Sequence, residues 1–206
     1  MSVVLAPPAG TDTPPPKGAL AAPRLKRWTV AQFDTLLTLD LVEPRRHQLV
    51  RGEIVDMGEQ SMRHHTSVDA VVDALRAAFG PGFFVRNAGP LQFADSKPEP
   101  DASVLRGKRS DYLTDPPPAT ALLAVEVALS SLTYDLTTKA ELYAAAGVPE
   151  YWVLDLEGRV LHVFRDPQPR AALNVTTYQL HTEHRPGESV TPLHAPHAVA
   201  VADLLP

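Results

Sequence analysis

The feature that most constrains this chain is the run Leu122-Leu123-Ala124-Val125-Glu126-Val127, almost wholly apolar and rich in strand-forming residues. Such a run has the composition of a central strand covered on both faces, which needs neighbouring strands and two layers of packing around it. It also contains one acid. A lone carboxylate in an apolar setting is costly unless it is paired, protonated or bound to a cation, so Glu126 asks for a reason. The plainer alternatives are an exposed strand end and a structural ion pair.

The elements around this run follow from periodicity and punctuation. The segment before Arg24 is proline-rich, with Gly10, Thr11 and Thr13 interspersed, and lacks a periodic apolar face; residues 1–23 read as a disordered arm and 24–206 as one domain. Thr29, with Gln32 three residues later, forms a capping-box signal for a short helix carrying Phe33, Leu36 and Leu37. His47 to Met57 alternates as β-structure. Val68, Val71, Val72, Leu75 and Phe79 recur at helical spacing from Ser61 to Phe79, and Gly80-Pro81 ends the run. Strands are expected at Phe83 to Asn87, Leu91 to Phe93, Pro98 to Leu105 and Leu122 to Val127. A helix over Asp135 to Ala146 has Leu136, Ala140, Tyr143 and Ala144 on one stripe and stops at Gly147 and Pro149. Tyr151 to Asp155 and Arg159 to Arg165 read as a hairpin, followed by a strand at Val175 to Leu180. The order implies an α/β (α+β) fold, a mixed sheet with helices packed on it.

Composition narrows the function classes. The chain has 206 residues, no cysteine and a formal net charge of −5. Thiolate metal sites and disulfides are excluded, so any metal is held by oxygen or imidazole. The acidic balance argues against coating nucleic acid by bulk charge, although a local arginine cluster and a bound cation can supply a positive field. There is no apolar run near the roughly 18 residues of a bilayer span and no signal-peptide pattern, so no membrane partner and a cytoplasmic location are expected.

A second acid, Asp101, lies in Pro98-Glu99-Pro100-Asp101-Ala102-Ser103-Val104, where the prolines hold the backbone extended. Adjacent strands can bring Asp101 and Glu126 to one hard cation, and oxygen ligands select Mg2+ or Mn2+. Asp101 is otherwise an ordinary turn residue. Lys139 falls some 60° from the Leu136, Ala140 and Tyr143 stripe, at the border of the buried face, where a lysine reaches inward or snorkels outward.

Pro100-Asp101, a strand Glu126 and a nearby lysine together resemble the PD-(D/E)XK nuclease superfamily. The wider set is similar to the Uma-type endonuclease family of bacteria: His47-Gln48-Leu49-Val50-Arg51-Gly52-Glu53-Ile54-Val55, Arg63-His64, Pro98-Glu99-Pro100-Asp101, Val125-Glu126-Val127, Tyr134-Asp135 with Lys139 and Tyr143, and Gly147 to Asp155. The likeness covers roughly residues 27 to 205. The residue two after Glu126 is Ala128, where the superfamily commonly has lysine; Lys139 on the following helix matches the Uma-type position.

The resemblance implies a restriction-endonuclease-like fold and a divalent-metal-dependent endonuclease acting on DNA. In it Asp101, Glu126 and the Val127 carbonyl hold the cation and Lys139 assists the attacking water. Glu53 matches an additional family acid, otherwise an exposed hairpin residue, and His64 a recurrent histidine, otherwise a cap or surface residue. Arg106, Lys108 and Arg109 follow the Asp101 strand and are candidates to track a nucleic-acid backbone or simply a solvated loop.

Two rival readings remain. His181, His184, His194 and His197 form two His-x-x-His pairs suited to zinc or nickel, or are surface histidines. A non-catalytic binding module on the nuclease fold is the other rival. A homodimer is also among the expectations, from Tyr151 and Trp152 placed near a sheet edge.

Overall fold

A computed structural model describes residues 24–114 and 116–206. The expected arm over residues 1–23 lies outside the described residues. Helix α1 spans Val30–Thr38 and begins in the expected capping box: the Thr29 hydroxyl accepts from the Gln32 backbone N–H at 3.2 Å, and Gln32 Oε1 accepts from the Thr29 N–H at 3.1 Å. Strands β1 (His47–Val50) and β2 (Glu53–Asp56) pair as an antiparallel hairpin. Helix α2 (Met62–Phe79) is capped by the Ser61 hydroxyl and ends at Gly80, whose φ of 67° a side chain would strain.

The centre is a six-stranded mixed sheet in the order β3-β4-β5-β6-β7-β8. Its strands are β3 (Phe83–Asn87), β4 (Ala102–Arg106), β5 (Leu123–Ala128), β6 (Glu150–Asp155), β7 (Val160–Arg170) and β8 (Val175–His184). Only β5 and β6 are parallel, and the helical segment 132–145 between them, α3, makes the crossover such a pair needs. A small pair, β9 (Ser189–Val190) and β10 (Val199–Ala200), was not anticipated from the pattern; it lies in the C-terminal segment packed with α2.

Alternation along β5 divides the core. Val125 and Val127 join Val68, Val71, Val72 and Leu75 of α2, while Ala124 and Ala128 face Ala140 and Tyr143 of α3. Glu126 shares the α3 face, between two alanines whose small side chains leave room for the helix. Every residue of β5 and β6 is buried. Tyr151 and Trp152 are therefore interior side chains with no exposure, which corrects their expected edge position and leaves the homodimer without that support.

Other differences have local causes. Leu91 to Phe93 is not a strand: its N–H groups at 91 and 93 bond to Pro98 and Ser96 carbonyls across a tight loop too short to build a ladder. The Asp101 strand starts only at Ala102, because Pro98 and Pro100 have no N–H to donate. Strand β7 runs on to Arg170 through Pro167 and Pro169; β6 pairs no further than Arg165, so these prolines meet only β8.

Leu75, fully buried between α2 and the sheet, tests this layer. Leu75→Ala is expected to lower unfolding stability by about 2–5 kcal/mol in urea titrations. Leu39→Ala, at a 60% exposed position, should change it by less than about 0.5 kcal/mol. Equal midpoints for the two variants would contradict the assigned core.

Candidate active site

The site forms where the start of β4, the end of β5, the start of α2 and α3 converge. Asp101 stands one residue before β4. Its Oδ2 accepts the Val127 backbone N–H at 2.7 Å and contacts His64 Nε2 at 3.2 Å. The N–H and C=O of one strand residue leave on the same edge, so the Val127 carbonyl is directed to the Asp101 side of β5. Among the described residues no ladder occupies that edge at Val127, since the β4 register ends with Ala102 opposite Val125. A cavity of about 90 Å³ opens here, lined by Gln48, Glu59, Gln60, His64, Glu99, Asp101, Glu126, Val127, Ser130, Ser131 and Asp135 among others.

Behind Glu126 lies a buried polar cluster. Lys139 Nζ donates to Glu126 Oε1 at 2.7 Å, and the Tyr143 hydroxyl donates to the same oxygen at 2.8 Å. Among the described residues Glu126 Oε2 has no hydrogen-bond donor. Lys139 has no solvent exposure, in contrast to the border position expected from regular helical spacing. The helix also changes type here. Segment α3 starts as α-helix at Leu132–Tyr134, widens to a π-helix over Asp135–Lys139, and returns to α-helix at Ala140–Ala145. Asp135, Lys139 and Tyr143 follow one another at intervals of four residues and share the face of α3 that is buried.

The electrostatics follow from burial and crowding of like charges. Burial, opposed by Lys139 and reinforced by Asp101 and Asp135, raises the Glu126 carboxyl above the usual range. Burial likewise raises Asp135, against Lys139 and the Ser131 hydroxyl, and Glu99. Lys139 is pulled down by burial, yet Glu126, Asp135 and Asp101 outweigh it and raise the ammonium, which stays charged. His64 behaves in the same way: burial lowers it, but the Asp101 hydrogen bond and the charges of Asp101 and Glu126 bring it above its ordinary value.

Asp101, Glu126, Val127 and His64 are thus brought together, with Lys139 reaching the site through Glu126. Glu53 is not: it is exposed at the start of β2 and pairs with Arg27 at 2.9 Å. Arg106, Lys108 and Arg109 are exposed at and beyond the far end of β4, five residues from Asp101, or about 17 Å of extended chain. His184 bonds Thr182, and His194 and His197 are exposed on the C-terminal segment, so the four expected histidines do not form one group. His181 instead meets His162 and Glu183.

Two residues at the site had no role assigned from sequence. Asp135 is buried, accepts from the Ser131 hydroxyl at Oδ2 at 2.5 Å and leaves Oδ1 without a partner among the described residues. Gln48 is buried on β1, donates to the Glu99 carbonyl at 3.2 Å and leaves Oε1 unpartnered. The available signals were an acid four residues before Lys139 and an amide inside a short buried strand. Of five such orphaned side-chain atoms among the described residues, Gln48 Oε1, Asp135 Oδ1 and His64 Nδ1 belong to residues lining this cavity. Crowded carboxylates and orphaned acceptors in one place fit a hard cation.

Because Lys139 compensates a buried acid, Lys139→Met is expected to cost about 3–5 kcal/mol of stability in urea unfolding. Adding Glu126→Gln should recover more than half of that loss, since no buried charge then lacks its partner. Equal losses in the single and double variants would contradict the pairing.

The comparisons with known proteins agree with this architecture. A solved structure described as a putative nuclease belonging to DUF820, from Anabaena variabilis ATCC 29413, superposes with a TM-score of 0.65 at 17% sequence identity, covering 85% of this chain and 96% of that one. At that identity the likeness concerns the fold. No curated protein matches. The family model of Uma2, described as putative restriction endonuclease, matches residues 30–201, so the chain belongs to the Uma2 family.

Proposed function

We propose that this protein is a divalent-metal-dependent endonuclease that hydrolyses phosphodiester bonds of DNA. The observation that carries the reading is the convergence of Asp101, Glu126 and the Val127 backbone on a cavity whose buried acids outnumber its buried cations. Glu126, Asp135 and Asp101 all act on the Lys139 ammonium, which contacts Glu126 directly. Glu59 and Glu99 line the same cavity, and this surplus of carboxylates is what a bound Mg2+ or Mn2+ would offset.

Asp101, Glu126 and the Val127 carbonyl are the residues to hold that ion. Bound there, it would supply Lewis-acid polarisation of the phosphate and make nearby water more acidic. Lys139 acts chiefly through Glu126: its bond to Oε1 orients the carboxylate, favours its ionised form and leaves Oε2 for the cation, with Tyr143 fixing the same oxygen. In this role Lys139 assists the attacking water indirectly, by setting the charge and position of the group beside it. His64 and the Val127 N–H fix Asp101 Oδ2 in the same way. Ser130 offers a hydroxyl at the cavity rim for the phosphate or its water. Glu53, in its exposed pairing with Arg27, is assigned no catalytic part here.

The test uses supercoiled plasmid and a single-stranded circle with purified wild type, Asp101→Ala and Glu126→Ala in EDTA, Mg2+ or Mn2+. Wild-type nicking should require the cation and fall by at least about 100-fold in both folded variants. Variants that cut as fast as wild type would overturn the site assignment. No cation-dependent cutting of either circle by wild type would overturn the DNA endonuclease reading and favour a binding module on the same fold.

A further inference from the structure

The face of the sheet that carries Glu126 continues beyond the candidate active site. The register places Glu126 opposite Val153, Val153 opposite His162 and His162 opposite Glu183, one row across β5, β6, β7 and β8. With strands about 4.8 Å apart, the His162 backbone stands roughly 10 Å from that of Glu126. His181, two residues before Glu183 on β8, shares that face. A cation here would be separate from one at Asp101 and Glu126.

The three side chains are already gathered. His162 Nδ1 lies 3.1 Å from His181 Nε2 and 3.8 Å from Glu183 Oε1, and one donor atom from each residue lies within 4.8 Å of the others. Two nitrogens on a tetrahedral zinc ion, each about 2.05 Å from it, stand about 3.3 Å apart, close to the observed separation. The imidazoles are held in place without a metal. His162 is buried, with only 9% of its side chain exposed, and His181 stacks on Phe164 with ring centroids 4.1 Å apart and planes 7° from parallel. Burial draws both imidazoles below their ordinary pKa, against the opposing charge of Glu183, which favours the neutral ligand form.

We propose that His162, His181 and Glu183 form a second cation site, for a borderline transition ion of the zinc type, which ties β8 to β7. Two imidazole nitrogens and one carboxylate oxygen suit zinc, cobalt or nickel, whereas the oxygen donors at Asp101 and Glu126 suit magnesium or manganese. Water completes the shell on the exposed side. Without metal, one proton is shared between His162 Nδ1 and His181 Nε2. On binding, both of these nitrogens turn lone pairs to the ion, and that proton passes through solvent to the far nitrogen of its own ring. The imidazoles stay neutral, and no oxidation or reduction is involved.

Cobalt(II) reports the site by its visible absorption. The full chain, His181→Gln, Glu183→Gln and Asp101→Asn are titrated with Co2+, followed by Zn2+ as competitor. Both β8 substitutions are at exposed positions and leave the core intact. Wild type should develop an intense low-coordinate band saturating at one equivalent and abolished by Zn2+. Affinity should fall by at least about tenfold in His181→Gln and in Glu183→Gln, and stay within about twofold in Asp101→Asn. Absence of the band in wild type, or its loss in Asp101→Asn with retention in His181→Gln, would overturn the proposal.

Discussion

The buried contact of Lys139 and Tyr143 with one oxygen of Glu126 is the interaction on which the site depends. A strand enclosed by helices on both faces tolerates a carboxylate only if something meets its charge. Here the compensation comes from the crossover helix of the β5 and β6 pair, so the feature that makes the parallel pairing feasible also supplies the ammonium. One oxygen is fixed from behind, which directs the chemistry to the other. Asp101 is fixed by the same logic from the opposite side, through the Val127 N–H and His64. Two acids on neighbouring strands are thus held by separate elements around one opening.

Much of this was legible in sequence because it rests on local pattern. The apolar run around Glu126, the helix over Val68 to Phe79 and the Thr29 capping box correspond directly to elements of the fold, since each expresses a periodicity or a cap that tertiary contacts do not override. Asp101 and Glu126 were singled out together because prolines and strand residues set their backbone, and both line one cavity. The surroundings of Lys139 were not legible in the same way. The apolar stripe puts Lys139 at a border, whereas the buried face of α3 also takes in Asp135 and Lys139, because Glu126 on β5 meets the ammonium there.

Asp135 and Gln48 illustrate a second limit. Each is polar and unremarkable in its own segment, and each becomes a site residue only because α3 and the β1 and β2 hairpin fold against β4 and β5. Glu53 shows the converse: its position after Gly52 looked suited to a site, but β2 alternation turns it outward to Arg27. The histidines followed neither spacing rule. His181 finds His162 across a strand pair rather than His184 along its own strand, because cross-strand neighbours share a face.

The central claim is that Asp101 and Glu126 share one hard cation in this protein. Anomalous diffraction from crystals grown or soaked with Mn2+ tests it most directly, since the ion locates itself without reference to any activity. A manganese peak is expected within about 2.3 Å of an oxygen from each carboxylate and adjoining the Val127 carbonyl. A peak that bypasses both acids, or Mn2+ at saturating concentration giving no peak at this cavity, would contradict it.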